Sequence, residues 1–179
     1  MNSKWKTISS KIAYENKWMK VIENIYSGLD NKKYNFYYVS LNTFVKVVAV
    51  NDKNEIALIN NFRYIIQSYQ IELPAGIIEV GEKIEAAALR ELSEETGIIA
   101  KNTKIMGELF TTDGVSDQKG YGVLATDLSF GETHLDNFEE IEPVKFYSVT
   151  KIKELISQNI IKDGPTLAVI SMYFSQNDL

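Results

Sequence analysis

Gly76–Ile98 reads GIIEVGEKIEAAALRELSEETGI. From Glu82 to Thr96 the residues are good helix formers, with no glycine or proline until Gly97. The stretch therefore predicts a helix that stops at that glycine. Ile84, Ala88 and Leu92 recur at i, i+4 and i+8 and form one apolar stripe for a core. Glu91, Glu94 and Glu95 recur at i, i+3 and i+4 and share a neighbouring face. Like charges at that spacing cost a helix roughly 0.2–0.5 kcal/mol per pair. Glu82 and Glu85 add to the load, and Arg90 relieves only part of it. Two readings of this face are open. It is a solvated acidic surface, or a hard divalent cation, which takes oxygen ligands and keeps several waters, neutralises it.

The rest of the composition narrows the classes. With 179 residues, 45% hydrophobic and 24% charged, the chain suits one globular domain with its own core. A net charge of −5 argues against general affinity for nucleic acid or an anionic membrane. An acidic protein that handles a phosphorylated substrate must supply local positive charge, from a metal or from a few arginines. There is no cysteine, hence no disulfide, zinc-thiolate site or thiol nucleophile. The opening MNSKWKTISSKIAYENKWMKV lacks the apolar run of a signal peptide. No stretch approaches the ~18–20 apolar residues of a membrane span. A cytoplasmic protein is expected.

Outward from the acidic helix, 20–26 and 34–39 read as strands joined by a turn at Gly28-Leu29-Asp30-Asn31. FVKVVAV at 44–50 is β-branched and apolar, as a buried strand should be, with 56–62 as its expected partner across the Asn51–Asn54 turn. A short strand at 70–73 leads into Pro74-Ala75-Gly76. Strands are expected at 104–111, 121–127 and 144–148. Thr150 is expected to cap a helix to about 158, and Pro165 to open a last one to about 174. The pattern is a mixed α+β sandwich.

Gly76, Glu82, Arg90, Glu91, Leu92, Glu94, Glu95, Gly97 and Ile98 resemble the Nudix box at every defined position. The flanks Asn61-Phe62-Arg63-Tyr64 and Glu72-Leu73-Pro74-Ala75-Gly76 are similar to the ADP-ribose pyrophosphatase branch of that superfamily. The resemblance runs from about Trp18 to the last helix. It implies a Nudix fold: a mixed β-sheet sandwich between helices, with an N-terminal antiparallel strand region. That region, 1–42, would be dimer-forming, since the branch is usually homodimeric, and 43–179 would be the hydrolase domain. The implied reaction is Mg²⁺- or Mn²⁺-dependent hydrolysis of a nucleoside diphosphate sugar, ADP-ribose to AMP and ribose 5-phosphate being the leading case.

The resemblance also distributes roles. Glu91 and Glu95 would ligate metal, Glu94 would be a third ligand, direct or through water, and part of the catalytic set. The carbonyl of Ala75 would be a further ligand. Arg90 would orient the box glutamates, and Glu82 would bond back to the box loop. Arg63 would grip the diphosphate; Glu72 would accept from base or ribose, or simply pair with Arg63. Trp18 and Phe36 match by position the aromatics that sandwich an adenine; packing is the competing reading. The base that deprotonates water would come from 136–142, with Glu139 first, also as a metal ligand, and Glu140 second. His134 is read as a loop residue.

One stretch departs from the branch. Where Ser-Pro-Gly is common, with a glutamate four residues on, this chain has Thr112-Asp113-Gly114 and Gln118. Gly114 is expected to keep the turn, and Thr112, Asp113 and Gln118 to read a different terminal sugar. Two alternatives stand beside the main reading. One is another Nudix substrate, such as a dinucleoside polyphosphate, coenzyme A or a modified nucleoside triphosphate. The other is a catalytically silent nucleotide-sugar-binding module, against which the intact box glutamates argue.

Overall fold

The computed structural model describes residues 4–135 and 140–179. The chain divides into two compact units, Met1–Thr43 with Phe110–Lys119, and Phe44–Leu109 with Gly120–Leu179.

The first unit is an antiparallel meander of β1 (Lys6–Glu15), β2 (Met19–Ser27) and β3 (Lys33–Leu41). The Gly28–Asn31 turn forms as expected: Asn31 takes a positive φ of 61°, and the Asp30 carboxylate accepts from the Tyr34 hydroxyl at 2.8 Å. β1 was not expected, because KTISSKIAYE is exposed throughout and carries no buried face to signal it. Cross-strand pairing to β2 holds it. The unit also takes in 110–119, outside the 1–42 region read from sequence. Val39 N–H donates to Val115 O at 2.9 Å, and Asp117 accepts from the Ser40 hydroxyl at 2.8 Å and from Leu41 N–H at 3.2 Å.

The second unit runs β4 (Phe44–Ala49), β5 (Glu55–Arg63), β6 (Ser68–Glu72), β7 (Ala75–Ile77), α1 (Ile84–Thr96), β8 (Ile98–Phe110), β9 (Lys119–Phe130), β10 (Ile141–Ser148), α2 (Val149–Ser157) and α3 (Gly164–Gln176). One mixed sheet has the order β7-β4-β9-β8, and an antiparallel sheet has the order β10-β5-β6. The architecture is α+β. β5 is not the partner of β4: β7 and β9 take both edges of β4, and only a Val50–Ile56 bridge joins the two strands. β4 is buried on both faces, with period-2 alternation deciding what each side meets. Val45, Val47 and Ala49 join Ala87, Ala88 and Leu92 of α1; Val48 joins Val169 and Ile170 of α3.

Helix ends differ in detail from expectation. α1 begins at Ile84, leaving Glu82 in the preceding loop. α2 is capped by Ser148, which accepts from Lys151 N–H at 3.2 Å, while Thr150 lies inside the helix. Asp163 caps α3 by accepting from Thr166 N–H at 2.9 Å, with Pro165 in the first turn. Among the described residues no helix is long and apolar enough to cross a membrane.

Candidate active site

α1 presents its glutamates through one arginine. Arg90 Nε and Nη2 each donate to a Glu82 oxygen at 3.0 Å, Nη1 donates to Glu91 at 2.7 Å and to Glu94 at 3.1 Å, and Nη2 also reaches Ile77 O at 3.0 Å. These bonds, Glu82's first, hold the guanidinium's pKa far above its ordinary value. The same pairing holds Glu82 below the usual carboxylate range, and Glu82 also accepts from Glu79 N–H at 2.9 Å. The repulsion expected along the acidic face is thus partly neutralised by a planar cation with five donors.

Two of the glutamates, Glu91 among them, also lean on β7. Glu95, 6% exposed, accepts from Ala75 N–H at 2.9 Å. Glu91 packs so closely on Gly76 that a Cβ there would fall inside its carboxylate. Gly76 therefore serves close approach within a strand, not a turn. Gly97 is the helix stop, at φ 69°, with its N–H on Ser93 O at 2.8 Å. Among the described residues no group of three His, Cys, Asp or Glu side chains is arranged to hold a metal ion. The donors here are all oxygen, the kind a hard divalent cation takes, with Glu91 against Gly76 and Glu95 on the Ala75 N–H.

Behind this face lies a charged cluster that sequence reading missed. Glu72, 1% exposed, accepts from Arg63 Nε at 2.9 Å and Nη2 at 2.5 Å, and from Lys46 Nζ at 3.2 Å. Lys46, 3% exposed, also reaches Leu73 O at 3.4 Å and Asp163 at 2.8 Å. Bonding to Glu72 holds the Arg63 guanidinium above its ordinary pKa against the effect of burial, with Asp163 and Glu95 adding at longer range. Glu72 thus pairs with Arg63, the second of its two expected roles. A lysine in the apolar run FVKVVAV was the available signal, since a buried ammonium needs a carboxylate partner.

Burial pushes the Asp163 carboxyl up, but the Lys46 ammonium and the bonds from Lys46 and Thr166 outweigh it and leave the pKa below its ordinary value. A depressed folded-state pKa gives stability that is present above the unfolded value, about 3.9, and lost as pH falls through the lower folded value. Asp163→Asn is therefore expected to be less stable than wild type at neutral pH. The gap in urea melts should close below about pH 4; a gap constant down to about pH 3 would deny the carboxylate that role.

The remaining candidates fall as follows. Glu139 lies outside the described residues. Glu140 accepts a short hydrogen bond from the Tyr69 hydroxyl, which raises the phenol's pKa, and its carbonyl accepts from Phe62 N–H at 2.9 Å. It is thereby tied beside Arg63 on β5. His134 donates its backbone N–H to Glu94 O at 2.9 Å, stitching its loop to α1. Trp18 and Phe36 do not face each other within the meander. Phe36 pairs with Asn24, while Trp18 precedes Met19, which pairs with Leu41, so several strand residues at about 3.4 Å each separate them. Phe36 instead lines an aromatic pocket of about 300 Å³ with Trp5 and Tyr26.

Gly114 has no positive φ and open space at its Cβ, so the 112–116 turn does not require glycine. The Thr112 carbonyl makes that turn, accepting from Val115 and Ser116 N–H at 2.9 Å each. Asp113 lines a pocket of about 350 Å³ with Tyr38, Phe110, Ser116 and Asp117. Gln118 donates to Asn42 O at 3.3 Å and accepts from the Thr111 hydroxyl at 3.2 Å.

Comparison with known proteins adds a family match, two relatives and a solved structure. The NUDIX domain family model matches residues 42–167. The chain is 36% identical over 114 residues to the ADP-ribose pyrophosphatase of Bacillus subtilis (strain 168), covering 62% of each protein. It is 28% identical over 128 residues to the methanol dehydrogenase activator of Bacillus methanolicus, covering 70% of this chain and 69% of that one. The match thus spans less than two thirds of the first relative's length. A solved structure of an ADP compounds hydrolase matches with a TM-score of 0.84 over 98% of this chain and 96% of that chain, at 18% identity, a likeness of fold.

Proposed function

The chain belongs to the NUDIX domain family, and on that premise we propose that it hydrolyses the diphosphate bond of a nucleoside diphosphate sugar, ADP-ribose foremost, with Mg²⁺ or Mn²⁺. The observation that carries the reading is the seating of Glu91 against Gly76 and of Glu95 on Ala75, with Glu95 within electrostatic reach of Arg63. The name of the Bacillus subtilis relative supports the choice of substrate.

Glu91 and Glu95 would hold the cation, with Glu94 and the Ala75 carbonyl as further donors and Glu139 from the 136–142 segment. When bound, such an ion neutralises a diphosphate and acidifies water. The chain's own groups do the rest. Arg63, half-exposed and anchored by Glu72, offers a guanidinium edge to phosphate oxygen. Glu139, or else Glu140, takes the proton of the attacking water. The new P–O bond forms in line as the bridging P–O bond breaks, releasing a nucleoside monophosphate and a sugar phosphate. Phe36 and Trp18 would contribute base stacking, and Thr112, Asp113, Gly114 and Gln118 sugar selection.

Incubation with Mg²⁺ and a panel of nucleotide sugars, dinucleoside polyphosphates, coenzyme A and modified nucleoside triphosphates tests the reading. ADP-ribose is expected to turn over fastest. A folded preparation that cleaves no nucleotide sugar removes the proposal, and faster cleavage of another panel member reassigns the substrate. Tight ADP-ribose binding without cleavage would point to a silent binding module. The protein is further proposed to act in the cytoplasm as a homodimer built through residues 1–42. A monomer in sedimentation would remove the dimer.

A further inference from the structure

Lys46 is the least expected charge in the molecule. It sits mid-strand in β4, paired in register with Ala75 of β7 and Gly122 of β9. Its side chain shares the strand face of Val48, which packs on α3, opposite the face that meets α1. Its ammonium lies between two carboxylates, 2.8 Å from Asp163 and 3.2 Å from Glu72. Glu72 Oε2 is shared: Lys46 holds it from one side and Arg63 Nη2 from the other. Two cations and two carboxylates make a neutral quartet, three of whose members are largely or wholly buried.

In such a quartet the charge each carboxylate draws from one cation depends on what the other supplies. Arg63 is the only member with a side chain nearly half exposed, at 47%. It is therefore the member whose residual charge reaches solvent and ligand. We propose that Lys46 and Asp163 are positioning residues that set how much of the Arg63 charge is available to an anionic substrate, acting through Glu72. This rests on the diphosphate role of Arg63 proposed above. Lys46 satisfies part of Glu72 and so leaves Arg63 under-neutralised. Asp163 draws Lys46 away from Glu72 and limits that effect.

The consequence is a pair of opposite signs. Lys46→Met leaves two carboxylates against one cation, so Arg63 is held more tightly inward. Its KM for ADP-ribose should rise about tenfold with kcat changed less than about threefold. Asp163→Asn keeps the helix cap, since asparagine caps as well as aspartate, but removes one negative charge. Lys46 then turns to Glu72, and KM should fall about threefold. The double variant restores neutrality and should return KM to near the wild-type value. Both single variants should melt at lower temperature, so a merely structural role predicts poorer activity in both.

The readout independent of turnover is water exchange of the Arg63 Nε–H proton, followed by NMR. It should slow in Lys46→Met and quicken in Asp163→Asn. Shifts of KM in the same direction for both variants, or unchanged exchange in both, overturn the proposal. Should Lys46→Met fail to fold, Asp163→Asn decides alone, because lost scaffolding cannot tighten substrate binding. If the wild type cleaves no nucleotide sugar, the hydrolase reading falls while the exchange rates still decide the coupling.

Discussion

Glu95→Gln is expected to fold like the wild type and to hydrolyse nucleotide sugars about 10³-fold more slowly. The side chain does two separable things. Its oxygen accepts from Ala75 N–H at 2.9 Å and so pins β7 to α1. A glutamine oxygen can keep that bond. Its negative charge, held at 6% exposure beside a second carboxylate, is what an amide cannot supply. Losing a cation ligand forfeits several kcal/mol of transition-state charge stabilisation, and each ~1.4 kcal/mol is tenfold in rate. The check is kcat with saturating Mg²⁺ alongside a melting curve. A variant with unchanged melting and only a severalfold loss would make Glu95 a strand clamp and leave the proposed chemistry without its central group.

Gly76→Ala is expected to damage both stability and activity, for a reason unrelated to backbone conformation. Gly76 lies in a strand and shows no positive φ. The added methyl would land on the Glu91 carboxylate. Either β7 leaves its register with β4, where Gly76 pairs with Val45, or Glu91 leaves its 2.7 Å bond to Arg90. Overpacking of this kind costs about 1–3 kcal/mol, which for a chain of this size lowers the melting temperature by roughly 3–10 °C. Turnover should fall about 100-fold, the order seen when groups that orient a metal ligand are lost. Adding Glu91→Asp, which shortens the side chain, should recover the melting temperature but not the rate. A Gly76→Ala enzyme with wild-type melting and turnover would show that Glu91 has another seat.

How much of this was readable beforehand differs between fold and site. α1 was legible because Ala88 and Leu92 of the expected stripe are buried, Ile84 packs partly buried against them, and Gly97 does end the helix. β4 was legible because its β-branched run is buried on both faces. β1 was invisible, since its residues are exposed and only pairing makes it a strand. β7 is three residues around a glycine and carries no periodicity to read. The error over β5 came from adjacency: a tight turn at Asn51–Asn54 reads as a hairpin, but sheet edges are allotted by the whole domain.

The site follows the same rule. Glu91, Glu94, Glu95 and Arg90 are one helix turn apart, so local spacing assembles them. Lys46, Glu72 and Asp163 come from a strand, another strand's end and a helix cap, and nothing local says that they meet. The reason for Gly76 was also hidden, because a glycine that makes room looks the same in sequence as one that makes a turn.

The parallel pairing of β4 with β9, Phe44 to Ala49 against Gly120 to Ala125, bears on how the protein is born. A growing polypeptide leaving the ribosome carries the whole acidic helix long before the strand that completes its supporting sheet has emerged. Asp163, the counter-ion of Lys46, comes later still. Contacts this distant along the chain close slowly, so during synthesis α1 has β4 and β7 to pack on while the far edge of β4 waits for its partner. The seat of Lys46 is thus among the last features the nascent molecule acquires, and a chain ending before the final helix would lose the Thr166 bond to Asp163 and the packing of Val169 and Ile170 on Val48 rather than a dispensable tail.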